Sequence, residues 1–172
     1  METEAIRVGV VMQRRRINNR WQPYAWSPIA IAHDRNVAGP PECLNDDESD
    51  WQWLTPGMEV SLHSIEAEGY FLNATSPAPC WFVMWRIEEV DGHEIAVPKA
   101  VTLSYNEAAR MMDGGEQVDT VPLEPQYVEH LRAFCAAYYQ PEPRKKRRKP
   151  SFEGGAAVEQ MAKAEGEIHG GR

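Results

Sequence analysis

The clearest alternation in the chain opens it. Ile6, Val8, Val10 and Met12 fall at every second position, with Arg7, Gly9, Val11 and Gln13 between them. Period two predicts a half-buried β-strand over residues 6–13. Residues 21–31 predict a second strand, joined to the first through an Asn18-Asn19 turn. Pro23 and Pro28 interrupt it. Proline removes a ladder donor, so this strand belongs at a sheet edge or a bulge. Residues 34–57 hold Gly39-Pro40-Pro41, the acidic group Asp46-Asp47-Glu48 with Asp50, and Pro56-Gly57. That density of turn residues predicts a loop. Trp51 and Trp53 inside it are expected to dock on the domain, because burying a large aromatic contributes about 1.5–3 kcal/mol.

Met58, Val60 and Leu62 alternate with polar residues and predict a third strand. Residues 65–74 give mixed signals. Ile65 to Glu68 favour helix, while Gly69-Tyr70-Phe71 weakens it. Residues 80–88 give the plainest strand. Trp81, Val83, Trp85 and Ile87 share one face, with Phe82 and Met84 on the other. Two apolar faces predict a central, covered strand. Asp91-Gly92 predicts a hairpin turn into residues 94–97 and on to 101–103. Ser104 with Glu107 three positions later fits a capping box, and the short helix it opens should stop at Gly114-Gly115. Pro125 suits the first turn of the longest helix, which runs to Tyr139. Val128, Leu131, Phe134 or Cys135, and Tyr138 recur on one face, expected to pack on the sheet. The fold class predicted is α+β. A mainly antiparallel sheet of five to six strands, barrel-like or open, carries two C-terminal helices.

Composition adds a division. Residues 1–143 hold ten Lys/Arg against 22 Asp/Glu, a net charge of −12. Residues 144–172 hold eight against four, a net charge of +4. The first stretch reads as one domain that repels polyanions over much of its surface. The second, poor in large apolar residues, reads as a disordered basic tail. Cys43, Cys80 and Cys135 are too few and too scattered for a disulfide framework. Cys80 and Cys135 are expected to serve as small buried hydrophobes. No apolar run is long enough to cross a membrane, and the acidic start lacks a signal core. A cytoplasmic location is the expectation.

Candidate chemistry is sparse. None of the five histidines sits at metal-ligand spacing, and the chain has no nucleophile elbow, phosphate loop or dinucleotide fingerprint. The expectation is a protein that is not an enzyme and carries no cofactor. Two clusters point to binding instead. Arg14, Arg15, Arg16 and Arg20 with Trp21 and Trp26 form a basic, aromatic-rimmed patch in an acidic domain. Arg and Trp are the residues where binding energy concentrates. The plainer reading is a hairpin bend with solvated arginines over packed tryptophans. Arg144, Lys145, Lys146, Arg147, Arg148 and Lys149 form a run of six positive charges. Such a run suits nucleic acid, an anionic lipid surface, an acidic protein or simple solvation. Nucleic-acid binding through this tail is the alternative function.

A family resemblance completes the reading. Val8 to Arg16, then Trp21-Gln22 and Trp26-Ser27-Pro28, resemble a bacterial family of uncharacterised proteins. The likeness continues in Leu62 to Tyr70, Asn73, Trp81 to Met84, Thr102 to Met112, Asp113-Gly114-Gly115-Glu116, Val121-Pro122, and Phe134 with Tyr138-Tyr139. It spans residues 6–149. This chain departs from the pattern at Ser27, where an arginine is often expected, and at Gly69, which interrupts a stretch more helical in relatives. The resemblance implies an accessory role beside molybdenum-dependent formate dehydrogenase, with its subunits or maturation chaperones as partners. It implies no catalytic residues.

Overall fold

The computed structural model describes residues 5–141. The chain divides into two units, Met1–Gln140 and Pro141–Arg172. Every element below lies in the first, and the expected tail at 144–172 lies outside the described residues.

Two antiparallel sheets form the frame. The first orders its strands β2-β1-β4-β3, with β1 at Ile6–Arg16, β2 at Tyr24–Ala32, β3 at Glu42–Asp47 and β4 at Asp50–Val60. The second orders them β6-β5-β7, with β5 at Cys80–Val90, β6 at His93–Thr102 and β7 at Gln117–Pro122. The helices are α1 (Ala67–Ala74), α2 (Tyr105–Asp113) and α3 (Pro125–Tyr138). The α+β class holds, with seven strands and three helices among the described residues. The sheets do not join into a closed barrel, which corrects the barrel-like alternative. Three of the four edge strands carry an extra residue that breaks their ladder: Ile29 in β2, Leu44 in β3 and Lys99 in β6. Bulges bend an edge and blunt it against further pairing.

β1 is an interior strand, so its middle is dry on both faces. Val8, Val10 and Met12 are fully buried, and Val11 nearly so. Pro28 of β2 sits beside the edge bulge, as proline requires. The loop expected over 34–57 is largely strand. The acidic group is the tip of the β3–β4 hairpin, where Asp47 pairs with Asp50. The Asp47 carboxylate accepts from Ser49 N–H at 3.0 Å and from its hydroxyl at 2.9 Å. These bonds hold Asp47 below the ordinary carboxylate range. Pro56-Gly57 is a bulge inside β4 opposite Gly9 rather than a chain break, and Gly57 takes a positive φ of 69°.

β5 is central in its sheet, and Trp81, Phe82 and Val83 are buried. Its apolar alternation overruns the core, since Ile87 is exposed. Asp91 and Gly92 form the predicted turn, both at positive φ. β6 runs as one strand from His93 to Thr102, past its bulge at Lys99. β7, which follows α2, has no counterpart among the predicted elements.

The helices close the core. The Ser104 hydroxyl oxygen accepts from Glu107 N–H at 3.1 Å and caps α2. The Glu107 carboxylate does not return to the cap; it accepts from the Thr102 hydroxyl at 3.0 Å. α1 runs through Gly69 without a break, preceded by a 3-10 turn at Ser64–Glu66. Its Asn73, fully buried, donates to the Cys80 and Leu103 carbonyls and accepts from Cys80 N–H at 2.8–3.0 Å. α3 buries Leu131, Phe134 and Cys135. It meets α1 where Phe134 packs edge-on to Tyr70, and it reaches the second sheet through Tyr127 against Trp81. Burial pushes the Cys80 thiol up to about 11 and raises Cys135 as well. Both stay protonated at neutral pH, as their packing role requires.

Candidate functional site

The core-facing row of β1 runs Val8, Val10, Met12, Arg14, Arg16. It passes from a dry interior to open solvent within one strand. Arg14 stands at the transition. Its cross-strand partners are Trp26 on β2 and Trp51 on β4. Opposite residues in an antiparallel pair share a face. The guanidinium carbon lies 4.2 Å from the Tyr24 ring centre, 4.5 Å from that of Trp51 and 6.0 Å from that of Trp26. Trp51 also packs on Trp26 at 5.8 Å, on Trp53 at 5.9 Å and on His93 of the second sheet at 6.0 Å. Its indole N–H donates to Cys43 Sγ at 3.1 Å. Cation–π contacts of this kind contribute about 0.5–2 kcal/mol each.

The predicted patch therefore divides. Arg14 and Trp26 belong to the aromatic cluster. Arg15 projects from the opposite face of β1, which is what period two requires. Arg16 pairs with Glu48 at 3.2 Å across to the acidic tip. Arg20 and Trp21 sit on the exposed connection between β1 and β2, and Trp21 is 90 % exposed. Ile17 N–H bonds the Pro23 carbonyl at 2.8 Å and closes this connection. The Asn19 side chain accepts from Trp21 N–H at 3.0 Å and fixes the backbone beneath the indole. Tyr24, Trp51, Trp53 and His93 were not among the predicted site residues. The Trp51-Gln52-Trp53-Leu54 alternation is the signal that places the tryptophans on a strand.

Charge pairing sets this end of the molecule apart. The described residues contain ten Lys/Arg and 19 Asp/Glu. Arg7, Arg16, Arg35, Arg86, Lys99, Arg110 and Arg132 each hold a carboxylate, from Glu59, Glu48, Glu42, Glu116, Glu88, Glu66 and Glu129 in turn. Arg14, Arg15 and Arg20 hold none among the described residues. With nearly twice as many acids available, the three unpaired cations fall on one hairpin. The tail residues Arg144 to Lys149 lie outside the described residues.

A second polar cluster was not foreseen. His33 Nε2 lies 2.7 Å from Glu124 Oε1, and His33 Nδ1 lies 3.2 Å from the Tyr127 hydroxyl. Trp81 Nε1–H donates to Glu124 Oε2 at 2.9 Å. Partial burial pulls the Glu124 carboxyl upward, but bonds from His33, its own backbone and Trp81 outweigh this and hold it below the ordinary range. The cluster ties the end of β2 to the start of α3 and reads as a structural clasp. Among the described residues no three His, Cys, Asp or Glu side chains converge as a metal site. No described helix is long and apolar enough to cross a membrane.

The model of the family described as "protein of unknown function (DUF3305)" matches residues 7–148. No curated protein and no solved structure matches the chain.

Proposed function

The chain belongs to the DUF3305 family, and we propose that it is a non-catalytic binding protein that docks a protein partner on the β1–β2 hairpin end. One observation carries this reading: three arginines without a carboxylate partner among the described residues, beside a 90 %-exposed tryptophan, on an otherwise acid-rich body. Trp and Arg are enriched among binding hot-spot residues, and here both stand exposed on one hairpin. The closed connection from Ile17 to Pro23 supports it further, since an ordered loop loses little entropy on binding.

The resemblance over residues 6–149 supplies the partner. We assign it to the subunits or maturation chaperones of molybdenum-dependent formate dehydrogenase, with this chain assisting assembly, maturation or regulation. The test is capture from formate-grown cells with tagged wild-type protein and with an Arg15→Ala/Arg20→Ala/Trp21→Ala variant. Formate dehydrogenase components recovered by the wild type and lost by the variant are the expected result. Recovery unchanged by the variant would remove the hairpin from the interaction. Nucleic acid in the eluate, released steeply by salt and dependent on residues 144–149, would favour the tail instead.

A further inference from the structure

We infer that Arg14 is a preorganised carboxylate receptor, and that the partner presents an acidic peptide segment to it. The inference rests on the binding reading above and names the chemistry that reading leaves open.

Three observations lead to it. The guanidinium is held in place before any ligand arrives, by the Tyr24 and Trp51 rings at 4.2 and 4.5 Å. A free arginine side chain loses rotamer entropy when it is ordered, and here the fold has already ordered it. Second, no described carboxylate neutralises it, although acids outnumber bases almost two to one. Third, its Nε–H is covered and makes no hydrogen bond, while its terminal nitrogens are not among the covered, unpartnered atoms. An incoming group therefore meets the guanidinium end-on, at two parallel N–H donors. Planar, two-oxygen acceptors match that geometry, and a carboxylate is the one proteins carry.

Phosphate offers similar oxygens, so charge decides between a peptide and a nucleic acid. The acidic tip lies next door, with Asp46, Asp47 and Glu48 at the turn and Glu48 bound to Arg16. A polyphosphate chain would run past these carboxylates and be repelled. A single Glu or Asp side chain brings one charge and leaves its apolar neighbours to meet Trp21. The fitting ligand is an acidic residue flanked by apolar ones.

Tryptophan emission reports the site directly, because Trp51 touches Arg14. The intact protein is titrated with a capped octapeptide that carries one Glu between two leucines in a Gly-Ser frame, with its Gln-for-Glu counterpart, and with a single-stranded octanucleotide. Saturable change with the Glu peptide alone is expected, and Arg14→Lys should weaken it tenfold or more. Lysine keeps a cation over the rings but loses the paired donors. Equal response to the Gln peptide, tighter binding of the oligonucleotide, or an Arg14→Lys protein that binds like wild type would each overturn the inference. The peptide comparison needs no variant, so it stands even if Arg14→Lys folds poorly. Capture from cells separates the two readings. Capture that survives Arg14→Lys but not the Arg15/Arg20/Trp21 variant leaves the docking hairpin in place and removes the receptor. Capture that survives both removes both.

Discussion

Replacing Gly69 by alanine should destabilise this protein, although the same change in most helices stabilises. Gly69 lies in the middle of α1, where alanine is favoured over glycine by about 1 kcal/mol. The surroundings reverse that sign. A Cβ at position 69 would sit 2.0 Å from Ser104 Oγ, 3.0 Å from Ser104 Cβ and 3.2 Å from Asn106 N. Ser104 is fully buried and committed. Its oxygen caps α2 at Glu107 N–H, and its hydroxyl proton goes to Glu66 Oε2 at 2.6 Å. Making room costs the cap, about 0.5–2 kcal/mol. It also overpacks a tight helix–helix contact, about 1–3 kcal/mol. Against the propensity gain, the net loss is about 2 kcal/mol. For a domain of this size that is a fall in melting temperature of about 4–8 °C. Urea and thermal unfolding followed by circular dichroism measure it. Unchanged or increased stability would refute the claim that α1 rests on the α2 cap. Adding Ser104→Ala to Gly69→Ala should recover part of the loss, because it removes the clashing oxygen.

Further outcomes follow from the same geometry. Asn73→Ala should cost about 3 kcal/mol or more, because two carbonyls and one N–H lose their partners in a fully buried site; urea unfolding would show it, and a loss below 1 kcal/mol would contradict the bonding described. Trp21→Ala should change stability by less than about 0.5 kcal/mol while abolishing partner capture, since the indole touches little of the fold. Glu124 has a depressed folded value, so its contribution is fully present above the ordinary carboxylate range and is lost as pH falls through that depressed value. Glu124→Gln should therefore cost about 1 kcal/mol at pH 7, discounted for partial exposure, and nearly nothing once the wild-type group is protonated; a cost that does not shrink on acidification would rule out the charged clasp.

Elements bounded by local chemistry were legible in the sequence, and those set by tertiary contacts were not. The α2 cap, the Asp91-Gly92 turn and the Pro125 helix start each depend on two to four neighbouring residues, and each is present. β3 and the first part of β4 were hidden, although the strand expected at Met58 and Val60 is the end of β4, because Pro40-Pro41, the acidic tip and Pro56-Gly57 all read as breaks. In the fold they are a strand entry, a hairpin turn and a bulge. Gly69 looked like a helix interruption because what it accommodates, Ser104, is 35 residues away along the chain. The arginine cluster was visible as composition. Its division was not, because which arginine faces the tryptophans depends on the pairing of β1 with both β2 and β4. His33, Glu124 and Tyr127 carry no shared motif at all; only the fold, which sets the residue after β2 beside the start of α3, brings them together.

Photo-crosslinking tests the central claim most directly. A photoreactive phenylalanine analogue replaces Trp21 in one protein and Ile65 in another. Ile65 is 86 % exposed and lies in the 3-10 turn before α1, so it reports an equally open surface on a different element. Irradiation in formate-grown cells should give a discrete adduct containing a formate dehydrogenase component from position 21 and none from position 65. Adducts of equal yield from both positions, or from position 65 alone, would contradict docking on the β1–β2 hairpin.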